Sequence, residues 1–272
     1  LTIPTPSCIR KARVDEADPF TKPAVRNRKQ DVSAPKPPAG RILLASASPR
    51  RVDLLRRVIG TFGTLPCDVN EEVLPGEDPA SYALRMAEAK ARTACQRLSP
   101  SDETAWILGA DTIVVLGSEI LGKPGDWQEA KRMLESLRGR THRVLTAICL
   151  LHRRSGKAWK DIVSTEVRMK PVTDSEIDAY LRSGEPFGKA GAYAIQGLGG
   201  RLVEETKGSF TNVVGLPVER LRHWMQALGI LSSTGPEQDV PQSGLQNAAS
   251  KPGRRQTKSA CYDEENSGSG SS

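Results

Sequence analysis

Long apolar runs are missing from this chain, and so are the residue spacings that build metal clusters and disulfide frameworks. No stretch approaches the length of a bilayer span, which argues against a membrane-spanning helix. The five cysteines, Cys8, Cys67, Cys95, Cys149 and Cys261, are odd in number, widely spaced and include no C-x-x-C pair. That usage disfavours a disulfide framework or a zinc site and points to a reducing, cytoplasmic setting. The three histidines, His142, His152 and His223, have no metal-ligand spacing. No Ser-His or Cys-His arrangement for nucleophilic catalysis stands out. Neither G-x-G-x-x-G nor G-x-x-x-x-G-K-[ST] occurs, so there is no dinucleotide fingerprint and no P-loop. The first residues lack the apolar segment of a signal peptide, and Asp15, Glu16 and Asp18 make a poor transit peptide.

Hydrophobic residues are also scarce, at 38% of 272 positions. The shortage is concentrated at the ends. Residues 1–39 are rich in Pro, Lys and Arg, residues 232–272 in Ser, Gly, Gln and Asn, and neither stretch is periodic. Both read as disordered tails around one folded domain at 40–231. Of the net charge of +7, the basic first tail carries +4, the last tail −1 and the domain +4. A mildly basic domain suits a small acidic substrate. Its charge is too scattered for a nucleic-acid surface, so nucleic acid is a disfavoured partner.

What is present centres on Arg41 to Leu55. The apolar run Ile42–Ala45 reads as a buried strand, and Ser46-Ala47-Ser48 breaks it. Ser48 is a good N-cap and Pro49 a good first helical residue. Arg50 and Arg51 then fall in the first turn, where cations oppose the helix dipole. A bound anion would compensate, and free amides, serine hydroxyls and two guanidinium forks suit a phosphate or polyphosphate. The plainer alternative is two arginines on a solvated face.

Phe62 to Val69 is expected as a second strand ending at Asn70-Glu71-Glu72, acidic decoration or a divalent-metal position. Asp78-Pro79 begins a helix whose inner stripe is Ala83, Met86, Ala87, Lys90, Ala91 and Ala94, with Lys90 either snorkelling or meeting a charge in a cleft. In Trp106 to Leu116 an aspartate, Asp111, interrupts a central strand, and a buried carboxylate is costly unless paired or bound to metal. A hairpin turn at Gly117-Ser118 returns the chain to Lys123, at the same end of the sheet. Asp126 to Leu137 reads as a helix with an Asp126–Glu129 capping pair and a stripe of Trp127, Ala130, Met133, Leu134 and Leu137. Two long strands follow, from about 140 to 151 and from 158 to 170, with His142 a structural strand-end histidine. A Thr173–Glu176 capping box opens a further helix. Gly188 to Gly200 reads as a strand edge approached closely by backbone or ligand, with Gln196 suited to reading the edge of a base. Gly208 to Pro217 is a loop, and a last helix runs to about Leu228. This mixture of alternation and hairpins predicts an α/β fold with a mixed sheet.

Arg50, Arg51, Lys90 and Lys123 against Glu71 and Asp111 describe cations that clamp phosphates and carboxylates that hold a divalent metal and activate water, the needs of hydrolytic phosphoryl or nucleotidyl transfer. The stretches L-A-S-A-S-P-R-R-V-D-L-L, E-A-K-A, G-A-D-T-I-V, L-G-K-P, G-R-T-H, G-K-A-G-A-Y-A-I-Q-G and N-V-V-G-L-P lie in one order across residues 41–231. Their joint pattern resembles the Maf family of nucleoside triphosphate pyrophosphatases.

The resemblance implies hydrolysis of a nucleoside triphosphate to the monophosphate and pyrophosphate with Mg²⁺ or Mn²⁺. It implies the fold of the inosine-triphosphate pyrophosphatases (Ham1-like), a mixed elongated sheet flanked by helices, with two lobes and a deep cleft. It places Ser46, Ser48, Arg50 and Arg51 at the phosphates and makes Asp111 the proton acceptor. Lys90, Lys123 and Glu71 line the same cleft, with Glu71 and Asp111 at the metal. In the subgroup acting on dTTP and UTP, nucleotide selection falls to Arg50, Thr112 and Gln196. The retained G-A-Y-A-I-Q-G text favours that subgroup over the one acting on 7-methyl-GTP. A broad modified-nucleotide pyrophosphatase, a nucleotide-binding cell-division regulator with little catalysis, and self-association into a homodimer are left open. Two positions depart from the family text, Gly188 and Asn70, where many members carry Asp, and Asp or Glu.

Overall fold

The computed structural model describes residues 41–231, and the two expected tails lie outside the described residues. The chain opens with β1 (Arg41–Leu44), α1 (Pro49–Arg56), β2 (Gly63–Thr64) and α2 (Pro79–Arg97). A meander follows: β3 (Thr104–Leu116), β4 (Glu119–Leu121), α3 (Trp127–Leu137), β5 (Thr141–His152) and β6 (Ala158–Met169). Next come α4 (Asp174–Leu181), two 3₁₀ turns (Ala190–Ala192 and Leu198–Leu202), β7 (Val203–Lys207), α5 (Phe210–Val214) and α6 (Val218–Ala227). Among the described residues no helix is long and apolar enough to cross a membrane.

The strands form one mixed sheet in the order β2-β1-β3-β5-β6-β7, with β4 added to β3. β1 is parallel to β2 and β3, and the other pairs are antiparallel. One edge of β3 is taken by β5 from Trp106 to Val115. The other edge is shared: β1 pairs with residues 104–108 and β4 with 114–116. Residues 109–113 therefore have no strand neighbour on that side, and this gap holds Asp111 and Thr112. Strand side chains alternate between faces, so those two residues look to opposite sides of the sheet at the one place where its edge is open.

α2 covers one face. Its buried stripe, Ala83, Met86, Ala87, Ala91 and Ala94, packs on Ile107, Ile113, Val115, Leu145, Ala147 and Cys149. The approach is close because Gly109 has no side chain; a Cβ there would lie 2.1 Å from the Ala87 carbonyl oxygen. On the other face α5 packs on β5 and β6, and α1 on α5.

Several expected elements take another form. The strand at Phe62 to Val69 is only Gly63–Thr64, because Pro66 lacks the N–H to extend the pairing beyond the Leu65-to-Leu44 bond. The strand edge at Gly188 to Gly200 is two 3₁₀ turns. Gly191 and Ala192 have φ of 67° and 58°, which no strand accommodates. The loop at Gly208 to Pro217 contains α5, capped by Ser209. Asp126 caps α3 as expected, but Glu129 accepts from the Gly125 amide, one residue upstream of the cap. Trp127, at the first position of α3, is 38% exposed and lies outside the buried stripe.

Candidate active site

A pocket of about 590 Å³ opens at the gap in β3. Its size is that of a small-molecule site. Its lining draws on both sheet faces: Glu71 and Lys90 from the α2 side, Thr112, Val114, Val144 and Gly215 from the other, with residues 45–51 at the end of β1 and residues 188–196 completing it.

The turn after β1 is built as its sequence suggests. Ser48 caps α1 and accepts from the Arg51 amide at 3.5 Å, with Pro49 in the first turn. Ser46 Oγ accepts from the Ser48 amide at 3.1 Å and from Arg51 Nη1 at 3.4 Å. Both serines act here as acceptors, so each hydroxyl keeps its proton to donate. A phosphate, which only accepts, is the complementary ligand.

The two arginines have different roles. Arg51 is fixed by Nε to the Gly215 carbonyl at 2.8 Å and by Nη2 to Thr112 Oγ1 at 2.9 Å. Thr112 contacts Thr146 at 2.9 Å, and Thr146 donates to the Asn212 carbonyl at 2.8 Å. Each hydroxyl has one proton, so the direction is set: Arg51 donates to Thr112, Thr112 to Thr146, and Thr146 to Asn212. Burial lowers the Arg51 pKa, with Asp111 opposing that shift and Arg50 adding to it. The resemblance groups Arg50 with Thr112 and Gln196. All three line the pocket, but the residue bonded to Thr112 is Arg51. The Arg50 side chain has no hydrogen bond or ion pair among the described residues, and its guanidinium faces the pocket free to bind an anion.

On the α2 side the candidate acids and lysines form one chain of charges. Lys90 Nζ lies 2.6 Å from Asp111 Oδ1 and 3.1 Å from Glu71 Oε1, and Lys123 Nζ lies 3.0 Å from Glu71 Oε2. Lys90 is thus no snorkelling residue; its ammonium bridges two carboxylates. The Glu71 loop is held by α2 itself: Tyr82 donates to the Glu71 carbonyl at 2.9 Å, and Arg85 binds the Glu72 carbonyl and both oxygens of Glu77. Burial pushes the Glu71 carboxyl up, but Lys123 and Lys90 outweigh it and hold the group below its ordinary value.

Sequence reasoning missed Lys189, which lines the pocket inside the G-K-A-G-A-Y text. Its ammonium donates to the carbonyls of Glu185 and Phe187. Burial and the charge of Arg50 lower its pKa, while Glu185 opposes them. Its signal in the sequence was a lysine between two glycines, a pattern that the backbone alone explains equally well. His142 is structural, as expected: it is buried, and its Nε2 lies 2.8 Å from the Tyr193 hydroxyl.

Hard carboxylate oxygens suit Mg²⁺ or Mn²⁺, which are commonly held by one or two carboxylates together with substrate phosphates. Glu71 and Asp111, tied to one ammonium, fit that donor chemistry. Among the described residues no group of three or more His, Cys, Asp or Glu is placed to hold a metal alone.

The model of the family described as Maf-like protein matches residues 41–228. The chain belongs to the Maf-like family. This Maf-like chain is 46% identical over 197 residues to the dTTP/UTP pyrophosphatase of Syntrophotalea carbinolica, covering 72% of this chain and 89% of that protein. It is 50% identical to the dTTP/UTP pyrophosphatase of Anaeromyxobacter dehalogenans strain 2CP-1, over 66% of this chain and 90% of that one. The enzyme of the same name from Thermococcus kodakarensis is 47% identical, over 65% and 92%. Among solved structures, the Staphylococcus aureus Ham1 protein overlays on 48% of this Maf-like chain and 72% of its own, with a TM-score of 0.36 and 12% identity, too slight a likeness to carry an argument.

Proposed function

We propose that this chain hydrolyses dTTP and UTP to the monophosphate and pyrophosphate. The observation that carries the reading is the meeting, at one gap in the sheet, of a guanidinium with no hydrogen bond or ion pair among the described residues, Arg50, with a carboxylate held on a lysine, Asp111 on Lys90. Relatives named dTTP/UTP pyrophosphatase at 46–50% identity support the nucleotide class.

In this reading Arg50, Lys189 and the hydroxyls of Ser46 and Ser48 take the phosphates, and Gln196 and Thr112 face the nucleoside end. Water attacks the α-phosphorus. The new O–P bond forms as the bond from the α-phosphorus to the α,β-bridging oxygen breaks, and pyrophosphate leaves. Asp111 accepts the proton from the water, and Lys90, 2.6 Å away, keeps its carboxylate aimed. Lys123 holds Glu71 beside them. A divalent cation on Glu71, Asp111 and the phosphates would neutralise charge on the transferring group.

The test is product identification. With Mg²⁺ or Mn²⁺, purified protein should convert UTP and dTTP to UMP, dTMP and pyrophosphate, and a chelator should stop turnover until metal is restored. Asp111→Asn should lose at least about a hundredfold in kcat while still binding nucleotide. Release of orthophosphate alone would overturn the assignment, and unchanged turnover in the variant would remove Asp111 from its role.

A further inference from the structure

Gln196 is exposed at the crest of a short turn, with the Gly197 amide bonded to the Ala194 carbonyl at 3.2 Å beneath it. Such a turn has little of its own to fix it. Both its shoulders are nevertheless tied, and they are tied to the same place. Before the crest, the Ala194 amide donates to the Tyr180 hydroxyl at 3.2 Å, and that hydroxyl donates to Glu185 Oε1 at 3.0 Å. After the crest, the Leu198 amide donates to Glu185 Oε2 and the Gly199 amide to Glu185 Oε1, both at 2.9 Å. Gly197 lets the carboxylate in: a Cβ there would sit 2.1 Å from Glu185 Oε2. Three donors converge on one carboxylate, hold it below its ordinary pKa against the effect of burial, and bracket the buried Ile195 and the exposed Gln196 between them.

We propose that Glu185 is a positioning residue for nucleobase selection, acting with Tyr180 as a clasp that fixes Gln196 over the pocket. The inference rests on the reading of Gln196 as the base reader. A carboxylate is needed because only it accepts at both oxygens. A glutamine would turn an N–H toward the Leu198 or Gly199 amide and break the clasp on one side. A misplaced reader loses discrimination between bases, while the donors at the phosphate end stay in place and feel only the loss of the Glu185 charge at Lys189.

The experiment compares Glu185→Gln, Tyr180→Phe and Gln196→Ala with the parent protein, reading the ratio of kcat/KM for UTP over ATP and the inhibition constant for inorganic tripolyphosphate. Glu185→Gln should lower the UTP/ATP ratio on the order of tenfold, chiefly through KM for UTP, with tripolyphosphate inhibition within about twofold of the parent. Tyr180→Phe, which removes one hydroxyl, should lower the ratio in the same direction by a smaller factor and serves alone if Glu185→Gln does not fold. A ratio unmoved in the clasp variants while Gln196→Ala lowers it would overturn the clasp and leave the base reader standing. A ratio unmoved in Gln196→Ala would overturn the base reader and the clasp with it. A rise in the tripolyphosphate constant matching the fall in the ratio would show general loss of the pocket, and would also overturn the proposal.

Discussion

His142 and Arg51 show at the residue scale how burial divides structural from functional polar groups. His142 is 2% exposed, and desolvation pulls its pKa from 6.5 to about 4. The folded protein therefore resists a proton that the unfolded chain accepts. Stability from this group is fully present above pH 6.5 and is lost as pH falls toward 4, on the order of 3 kcal/mol in all. Denaturant unfolding followed from pH 7 to pH 4 should show that decline, and His142→Gln, which keeps a partner for the Tyr193 hydroxyl, should flatten it. An equal slope in the variant would place the pH sensitivity elsewhere. Arg51 also spends its donors inside the protein, on Gly215, Thr112 and Ser46. Its neighbour Arg50 spends none on any described residue. Two adjacent arginines that look alike in sequence thus differ because α1 turns one toward the hydroxyl relay and the other toward the pocket. Periodicity does not reveal this, since the relay partners Thr112 and Gly215 are far away in the chain.

At the element scale the decisive contact is α2 on β3. The helix approaches closely enough for Lys90 to reach Asp111 only because Gly109 presents bare backbone. Gly109→Ala should cost about 3 kcal/mol or more and lower kcat along with it, measured by urea unfolding and by turnover at saturating substrate. Stability loss with full kcat would separate the helix approach from the chemistry. α2 itself was plain in the sequence: an Asp-Pro start, a stripe at helical spacing, and a lysine on that stripe. The segment 188–200 was not. Its alternation suggested extended chain, but the left-handed conformations at Gly191 and Ala192, and the fit of Gly191 against Val114, are tertiary facts. Short turns held by a distant carboxylate carry no periodic signal.

For the whole molecule, charge is organised by the sheet gap and not by any stretch of chain. Five cations, Arg50, Arg51, Lys90, Lys123 and Lys189, line the pocket against Asp68 and Glu71, although they are spread over some 140 residues. An excess of cations in a partly closed cavity attracts a polyanion from a distance, and salt screens that attraction over roughly 10 Å at 0.1 M. Raising ionic strength from about 0.05 to 0.5 M should therefore raise KM for UTP several-fold and change kcat by less than about twofold. A salt-independent KM would mean that the internal ion pairs already neutralise the pocket.

The chain alone determined the strand–turn–helix at Ser46 to Arg51, the capped helices, the mixed α/β class and the identity of most of the charged residues, because caps, apolar spacing and turn residues are local properties. Only the tertiary structure decided which of those charges meet. β1 and β4 stop short of each other on one edge of β3, and in that gap adjacent residues face opposite ways, Asp111 to Lys90 and Thr112 to Arg51. A pocket spanning both faces of a sheet is a consequence of pairing between distant strands, and no window of sequence contains it.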